Sequence, residues 1–589
     1  MGYRKPIVIL YGSETGNSED YAYCLSRKLR YERYSLTVCS LDEFDLKELL
    51  DINCLIIICS TAGQGEIPRN GRKFWKFMLK KRLPSDLFSH LRISSFGLGD
   101  SSYPKYNSAV RKIHARFLQL GAKEFCMRGE GNEQAPEGVE PFYIAWEETV
   151  VSSLKAQFPL STNLLPVPET ELLEPATVLK PLTQNKALDT EKSSKMDAIE
   201  RHMDHHSQMV TKFMVLENKR LTTEDHFQDV RLLKLKSVDC MLSYEPGDLL
   251  ALYPANDLKD VNALIELQGW TNIADFPLQI DGPFRAPGGL IQNLTLKSFI
   301  MHHLDIMSIP RRSFFSLAWH FASDQMEQDK LREFSKLNGS EQLYDYANRP
   351  RRSILEVLQE FSSLKIPLNY LPELIPQLKP RLFSISSKPD KSIIELTIAI
   401  VEYRTIIRRL RRGVCTRWVK TLNSGDVIIS SVIKNQMAHN LMNDRPIVMI
   451  GPGTGIAPIK SVIEESIVLA PSRSLCLFPG HRYSNKDYLY GPIWSQLERE
   501  KKLLVYPSFS REGSGYVQDT LYKNKNLINR LIVLENGSIL LCGSSGKMPT
   551  QVRLTLEAIF AEMNHWTEDE AHRYLIALED KGNYVQETW

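Results

Sequence analysis

The chain of 589 residues is poor in cysteine. The nine (Cys24, Cys39, Cys54, Cys59, Cys126, Cys240, Cys415, Cys476 and Cys542) are scattered, with no Cys-x-x-Cys pair and no histidines at zinc spacing. That excludes a disulfide framework and a zinc ribbon, and it fits a reduced, cytoplasmic setting. Long apolar runs are missing too. Residues 7–10 are apolar but stop at Tyr11-Gly12, far short of a signal-peptide core or of the ~20 residues that span a bilayer, so a soluble protein is expected. Met1-Gly2 opens no myristoylation signal, because Pro6 stands where Ser or Thr is needed. Charge of one sign is also lacking: 73 Lys and Arg against 70 Asp and Glu leave +3, too little to draw the chain onto nucleic acid or anionic lipid. With 43% hydrophobic and 24% charged residues, fibrous, disordered and membrane-embedded classes are excluded. No internal repeat is visible, and the length implies about three to five domains.

What is present is alternation. In residues 1–155, apolar segments at 7–10, 55–59 and 93–97 each enter a glycine-rich turn before a helical stretch, the rhythm of a doubly wound parallel sheet. Residues 156–207 turn to Pro, Ser, Thr, Lys and Glu without periodicity and read as a linker. Its end, Asp204-His205-His206, lacks spaced ligands and reads as solvated chain. From 208 to 440, β-like stretches enclose a helical pattern at about 258–374, which predicts a β domain carrying a helical insertion. From 441 to 589 the strand, glycine-rich turn and helix rhythm returns, predicting a second parallel-sheet domain.

The loops carry the chemistry. After the first strand comes Ser13-Glu14-Thr15-Gly16-Asn17-Ser18, hydroxyls, an amide and a glycine opening into a helix, suited to cradling a phosphate. No Lys-Ser or Lys-Thr follows the glycine, which disfavours nucleoside triphosphate hydrolysis; alone, the run could equally be a capped helix start. Two more strands end in Ser60-Thr61-Ala62-Gly63-Gln64-Gly65 and Gly97-Leu98-Gly99-Asp100-Ser101-Ser102-Tyr103-Pro104-Lys105-Tyr106-Asn107. Loops at the carboxyl ends of parallel strands line one crevice, so three of them about 40 residues apart make a strong signal together. Their glycines permit close approach to a flat ring, Tyr103 or Tyr106 can stack on it, and Asn107 can supply polar contacts.

Ser-x-Thr-Gly-Asn, Ser-Thr-x-Gly-x-Gly and Gly-Leu-Gly-Asp-Ser-x-Tyr resemble the three FMN loops of the flavodoxin-like domain in diflavin reductases. The resemblance implies that Ser13, Glu14, Thr15, Gly16, Asn17 and Ser18 hold the FMN phosphate. Ser60, Thr61, Ala62, Gly63, Gln64 and Gly65, with Leu98, Gly99, Asp100, Tyr103, Tyr106, Asn107 and Glu133, would enclose the ring, Gly63 offering the peptide that flips toward it. Arg381-Leu382-Phe383-Ser384 is similar to the family's Arg-x-Tyr-Ser motif and Gly413-Val414-Cys415-Thr416 to its Gly-Val-x-Thr pyrophosphate turn, which together imply FAD. Phe383 in place of Tyr removes one ribityl contact. Five nearby arginines, Arg404, Arg408, Arg409, Arg411 and Arg412, have no interleaved aromatics and read as a solvated face or a contact for an acidic partner.

Gly451-Pro452-Gly453-Thr454-Gly455-Ile456-Ala457-Pro458 resembles the dinucleotide turn of the ferredoxin-reductase-like NADP domain. By the same resemblance, Thr454, Arg482, Ser510, Arg511, Tyr516 and Gln518 would bind NADPH, with Ser510, Arg511 and Tyr516 around the 2′-phosphate and Ser514-Gly515 marking a shortened loop. Cys542 is similar to the cysteine near the hydride path and Glu587-Thr588-Trp589 to the terminal acidic-x-aromatic arrangement, so Ser384, Cys542, Glu587 and Trp589 are the implied catalytic set. The implied fold is multidomain α/β: a flavodoxin-like FMN domain (1–155), a linker (156–207), an FAD-binding β-barrel with a helical insertion (208–440) and an NADPH-binding domain (441–589).

The implied activity is NADPH to FAD to FMN to a protein acceptor, with no metal site. His226-Phe227-Gln228-Asp229-Val230-Arg231 and Arg411-Arg412-Gly413-Val414-Cys415-Thr416 are most similar to the soluble branch serving cytosolic iron-sulfur assembly, which implies an anamorsin-type iron-sulfur protein as acceptor. The alternatives are a soluble reductase for a haem protein or a sulfite reductase component, or a flavin-binding scaffold in stress or death signalling. Glu130, Glu133, Glu137 and Glu140, near the FMN loops, are the candidate docking residues.

Overall fold

A computed structural model describes residues 7–63, 65–103, 105–160, 165–182, 210–284, 286–287, 289 and 293–589. The described residues form two compact units, one drawn from 1–195, 258–285 and 291–377, the other from 196–257, 286–290 and 378–589. The Asp204-His205-His206 tract lies outside the described residues.

The first unit begins with β1 (Ile7–Gly12), α1 (Asn17–Tyr31), β2 (Leu36–Ser40), β3 (Cys54–Ser60), α2 (Arg72–Met78), β4 (Arg92–Gly99), α3 (Ser108–Gln119), β5 (Lys123–Glu124), β6 (Gly129–Asn132) and α4 (Glu140–Gln157). All pairings are parallel, in the order β2-β1-β3-β4-β5 with β6 also on β4. The central strands are apolar at nearly every position because both faces are covered. Ile7, Ile9 and Tyr11 pack with Leu25 of α1 and Tyr143 and Trp146 of α4, while Val8 and Leu10 face Phe74 of α2 and Phe117 of α3. Each such side chain stabilises the fold by roughly 1.5–3 kcal/mol.

Part of the predicted linker is a strand. β7 (Val178–Pro181) carries the apolar Val178 and Leu179, and it pairs antiparallel with a strand of the helical insertion. Beyond it the barrel opens with β8 (Thr211–Arg220), β9 (Val230–Ser237) and β10 (Leu249–Leu252). The insertion follows: α5 (Leu258–Gln268), β11 (Leu278–Asp281, the partner of β7), α6 (Leu296–His303), α7 (Arg312–Ala318), α8 (Gln325–Phe334) and α9 (Ile354–Glu360). Its core of Phe299, Phe315, Leu331 and Val357 takes in Leu179 of β7. Capping boxes at Thr295/Ser298 and Ser353/Glu356 fix the starts of α6 and α9.

Although inserted in the barrel sequence, these helices belong to the first unit. The Arg312 guanidinium lies 2.5 Å from Glu140 and 3.7 Å from Glu147 of α4, and Ser313 donates to Asp20 of α1 at 2.7 Å. Burial works against the Arg312 charge, but the carboxylates of Glu147 and Glu140 more than offset it and hold its pKa well above the ordinary value.

The second unit adds β12 (Arg381–Ser384), β13 (Ile393–Ala399), the hairpin β14 (Glu402–Arg404) and β15 (Leu410–Arg412), α10 (Val414–Thr421) and β16 (Val427–Ile433). An antiparallel six-stranded sheet runs β12-β10-β16-β8-β9-β13, and a bridge from Ile385 to Leu396 brings its ends nearly to closure. Then come β17 (Ile447–Pro452), α11 (Ile456–Leu469), β18 (Leu475–His481), α12 (Gly491–Arg499), β19 (Leu504–Val505), β20 (Ser508–Phe509), α13 (Val517–Lys523), β21 (Ser538–Gly543), α14 (Lys547–Asn564), α15 (Glu568–Asp580) and β22 (Tyr584–Thr588). This sheet is parallel, in the order β19-β18-β17-β21-β22 with β20 also on β18.

Lys460 of α11 joins the two halves of this unit. Its side chain is 4% exposed, and its ammonium lies 3.1 Å from Glu395 of β13 and 2.7 Å from Glu464. Burial opposes the charge, yet the two carboxylates raise the Lys460 pKa; Glu395, despite its own burial, is lowered by Lys460. The stabilisation from Glu395 is therefore present above its unfolded pKa of ~4.3 and is lost as pH falls through the lower folded value. K460M should leave Glu395 with Lys234 as its remaining cation and Glu464 without Lys460, and lower the hydrogen-exchange protection of β13 and α11 by about 3 kcal/mol near neutral pH, with a smaller acid-induced loss than in the wild type. Unchanged protection would refute this joint.

Candidate active site

In the first unit the three predicted loops meet at the carboxyl ends of β1, β3 and β4. Ser13 Oγ accepts from Gly16 N at 2.8 Å, and Gly16, at φ +94°, turns the chain into α1. Ser18 is fully buried, its Oγ without a partner. Thr15 and Asn17 are exposed. Glu14 faces the protein: its carboxylate accepts from Arg69 N at 2.8 Å and sits 3.8 Å from the Arg69 guanidinium, binding the first loop to the second.

The second loop turns tightly, with Glu66 N bonded to Ala62 O and Gly65 O held by Ser108 and Lys112. Gly63 lies at its tip at φ +48°, a backbone that side-chain-bearing residues adopt at a cost, and a Cβ there would meet the Glu66 carboxylate at 3.9 Å. Gln64 falls outside the described residues. Ser60 Oγ donates to Gly12 O, and Thr61 N bonds Leu98 O, tying all three strands' ends together.

In the third loop Asn107 departs from its expected role. It is fully buried at φ 52°, its amide donates to Gly131 O at 3.1 Å, and a Cβ at Gly97 or Gly99 would come within 2.8 Å of its Oδ1. Asn107 thus ties the loop to β6 through its amide N–H, and its buried Oδ1 has no hydrogen-bond partner among the described residues. Tyr106 also donates to Gly131 O and is covered on one face by Arg111; Tyr103 is half-buried. Asp100 accepts from Ser102 N and Gln134, which outweigh its slight burial and lower its pKa. The acidic loop is partly consumed. Glu130 is paired with Arg111 and Arg128, and Glu140 with Arg312, so of the four candidate docking carboxylates Glu133 and Glu137 are outside such pairs among the described residues.

In the second unit, Ser384 stands opposite Leu249 and Phe383 opposite Leu250 on β10. Leu382 is 38% exposed and Arg381 is exposed, while Phe383, pointing to the other face of the strand from Leu382, is half-buried against the barrel core. Arg381 is near enough to Cys415 to act on its thiol, which brings β12 beside the N-terminus of α10. Gly413 precedes that helix, where a Cβ would meet Thr416 Oγ1 at 2.9 Å. Cys415 turns its thiol into the barrel core, and burial pushes its pKa up to about 12. Thr416 Oγ1 accepts from Val401 N and donates to Gly413 O, shaping the turn.

Cys542 ends β21 fully buried, opposite Glu587 on β22. Burial first, then Glu587, raises its thiol pKa well above the ordinary value. Gly455 packs against this strand end so closely that a Cβ there would lie 2.1 Å from Cys542 O. Trp589 is 51% exposed, anchored by its N–H to Gly543 O and by its carbonyl to Ser545 N. It borders a cavity of about 300 Å³ whose polar lining includes Thr454, Gln228, His481, Asp487 and Ser544.

Beyond this cavity, Arg511 N bonds Arg482 O, and Ser510 Oγ donates toward His481 O. Arg511 and Tyr516 are exposed, while Arg482 lies over the Phe227 ring. Ser514 Oγ bonds both N and O of Phe509, which closes the shortened loop.

Sequence reading passes over several residues here. Asn435 donates to Glu587 and to Gly247 O, and its N–H reaches Asp248, whose carbonyl accepts from Ile385 N next to Ser384. His481 is buried, its Nε2 is unpartnered, and burial lowers its pKa to about 4. Asn435 and Asp248 are single residues in no motif, brought in by strand pairing, whereas His481 sits in the Gly480-His481-Arg482 segment beside Arg482.

The donor sets fit the groups that the sequence implies. The partnerless Ser18 hydroxyl and the glycine turn suit a phosphate, and the exposed Leu382 and Arg381 on β12, near the Gly413 turn, suit a flat ring with a pyrophosphate. A flavodoxin-like sheet, a flavin-type barrel and a dinucleotide-binding sheet in this order define a flavoprotein oxidoreductase. Domain-family models agree: Flavodoxin over residues 9–146, FAD binding domain over 202–418 and Oxidoreductase NAD-binding domain over 449–553.

Among full-length relatives, NADPH-dependent diflavin oxidoreductase 1 of Debaryomyces hansenii is 47% identical over 99% of this chain and 98% of its own. Those of Candida albicans (46%, 99% of both chains) and Saccharomyces cerevisiae (40%, 100% of both) are similar throughout. The chain belongs to the NADPH-dependent diflavin oxidoreductase family and uses FMN, FAD and NADPH. Among the described residues no helix is long and apolar enough to cross a membrane.

N107A should leave Gly131 O with Tyr106 as its remaining side-chain donor and lower the local stability of the loop by about 0.5–1.5 kcal/mol, read by hydrogen exchange at β4 and β6. Since Cys542 stays a thiol, flavin reduction by NADPH should show no ionisation from it below pH about 9, and C542A should remove none. A step near pH 8 that vanishes in C542A would contradict the burial.

Proposed function

We propose that this oxidoreductase works in the cytoplasm and carries electrons from NADPH to FAD, then FMN, then an anamorsin-type iron-sulfur protein of cytosolic iron-sulfur cluster assembly. The observation that carries the route is the separation of chemistry: Ser384, Asn435, Glu587, Cys542, Thr454 and Trp589 gather in one unit, and the three glycine-rich loops gather in the other. When bound, the two flavins supply the conversion of a hydride's electron pair into single-electron transfers.

The protein's part is positioning. Trp589, an exposed indole anchored at its backbone, covers the place a nicotinamide must take, so its displacement gates hydride entry. Cys542 offers an uncharged thiol and Ser384 a hydroxyl beside the ring, while Asn435 holds Glu587 in reach of both. Arg511, Ser510 and Tyr516 take the adenosine 2′-phosphate, with Arg482 beside them, which favours NADPH over NADH. In the other unit, Glu133 and Glu137 are the docking carboxylates for the acceptor. The choice of acceptor rests on the likeness of His226–Arg231 and Arg411–Thr416 to the cytosolic branch.

Anaerobic mixing of the enzyme, NADPH and an oxidised anamorsin-type iron-sulfur protein should bleach the cluster spectrum rapidly, dependent on FMN. Reduction of cytochrome c or ferricyanide without the cluster would keep the reductase and move the acceptor to a haem protein or sulfite reductase component. W589A should narrow the preference for NADPH over NADH and slow NADP+ release; both unchanged would remove Trp589 from the gate.

A further inference from the structure

The phosphate loop is short of positive charge. Among Ser13 to Ser18 the one charged residue is Glu14, and the nearby Arg69 is spent on it. A bound phosphate monoester carries about −1.5 to −2 at pH 7, whereas a helix N-terminus offers roughly +0.5. A cation is supplied from another part of the chain. Arg311, the residue before α7 of the helical insertion, donates from Nη2 to Asn17 Oδ1 at 2.6 Å and from Nη1 to Gly16 O at 3.4 Å. These two bonds use two of the five N–H groups of a guanidinium. Its neighbours hold it there: Arg312 in the Glu140 and Glu147 carboxylates, Ser313 on Asp20, and Arg27 on Ser313 O and Ser316.

We propose that Arg311 completes the FMN phosphate site from outside the flavodoxin-like domain, so that FMN retention and docking of the insertion on that domain are thermodynamically coupled. The inference rests on assigning the phosphate to the Ser13–Ser18 loop. Asp20, 3.7 Å from the Arg311 guanidinium, balances part of its charge when the phosphate is absent. Because coupling is reciprocal, bound FMN strengthens the hold of α7 on α1, and undocking of the insertion weakens the hold on FMN.

The test compares FMN with riboflavin, which lacks the phosphate, by flavin fluorescence quenching on FMN-stripped full-length protein. Wild type should prefer FMN strongly. R311A should lose on the order of tenfold in FMN affinity with riboflavin affinity unchanged, and R311K should fall between, with a weaker salt dependence of FMN binding in R311A than in wild type. Rebinding FMN, and not riboflavin, should slow hydrogen exchange of residues 311–316. Equal losses for both ligands in R311A would make Arg311 a support for loop shape only and overturn the proposal, as would an unchanged FMN affinity. Equal wild-type affinities for FMN and riboflavin would instead refute the phosphate assignment itself. If R311A does not fold, the R311K comparison and the exchange of residues 311–316 in wild type decide the same question.

Discussion

Parallel strands buried on both faces leave a ligand one place to meet the backbone: the carboxyl edge, where each strand gives way to a helix. That constraint organises both units. In the first it brings the turns after β1, β3 and β4 together; in the second it sets the turn after β17 beside the ends of β18 and β21. Everything specific to the chemistry is a loop or a strand end at one of these edges. The glycines serve the same constraint, since Gly455 has room only for its own hydrogen against Cys542 O.

The second unit shows how a barrel and a dinucleotide domain act as one body. β13 carries Glu395 to the buried Lys460, and Asn435, just beyond β16, reaches the terminal strand through Glu587. Such buried pairs gain little net stability over apolar contacts, but breaking them is expensive, so they fix relative position. The hydride path needs that fixity, because a displacement of about 1 Å between reacting atoms costs orders of magnitude in rate. The first unit uses the same device differently: Arg312 fastens the helical insertion to α4 through two carboxylates.

Much of the fold was legible because its signals are local. The apolar segments at 7–10, 55–59 and 93–97 became β1, β3 and β4, and the helical pattern at about 258–374 became the insertion. What stayed hidden depends on long-range pairing. Val178–Pro181 reads as linker because four residues show no periodicity, yet β11 turns them into a strand. Asn107 reads as a ligand contact from its place in a Gly-Asp loop, while its burial against Gly131 depends on β6. Glu140 reads as a docking carboxylate until Arg312, 172 residues away, claims it.

The account's central claim is that the second unit takes the hydride and the first delivers single electrons. It is tested most directly on protein depleted of FMN alone, mixed anaerobically with NADPH in a stopped-flow instrument. The absorbance of the remaining FAD should bleach as fast as in the complete enzyme, while cytochrome c reduction falls to background and returns when FMN is added. Cytochrome c reduction that persists undiminished without FMN would contradict the division of labour.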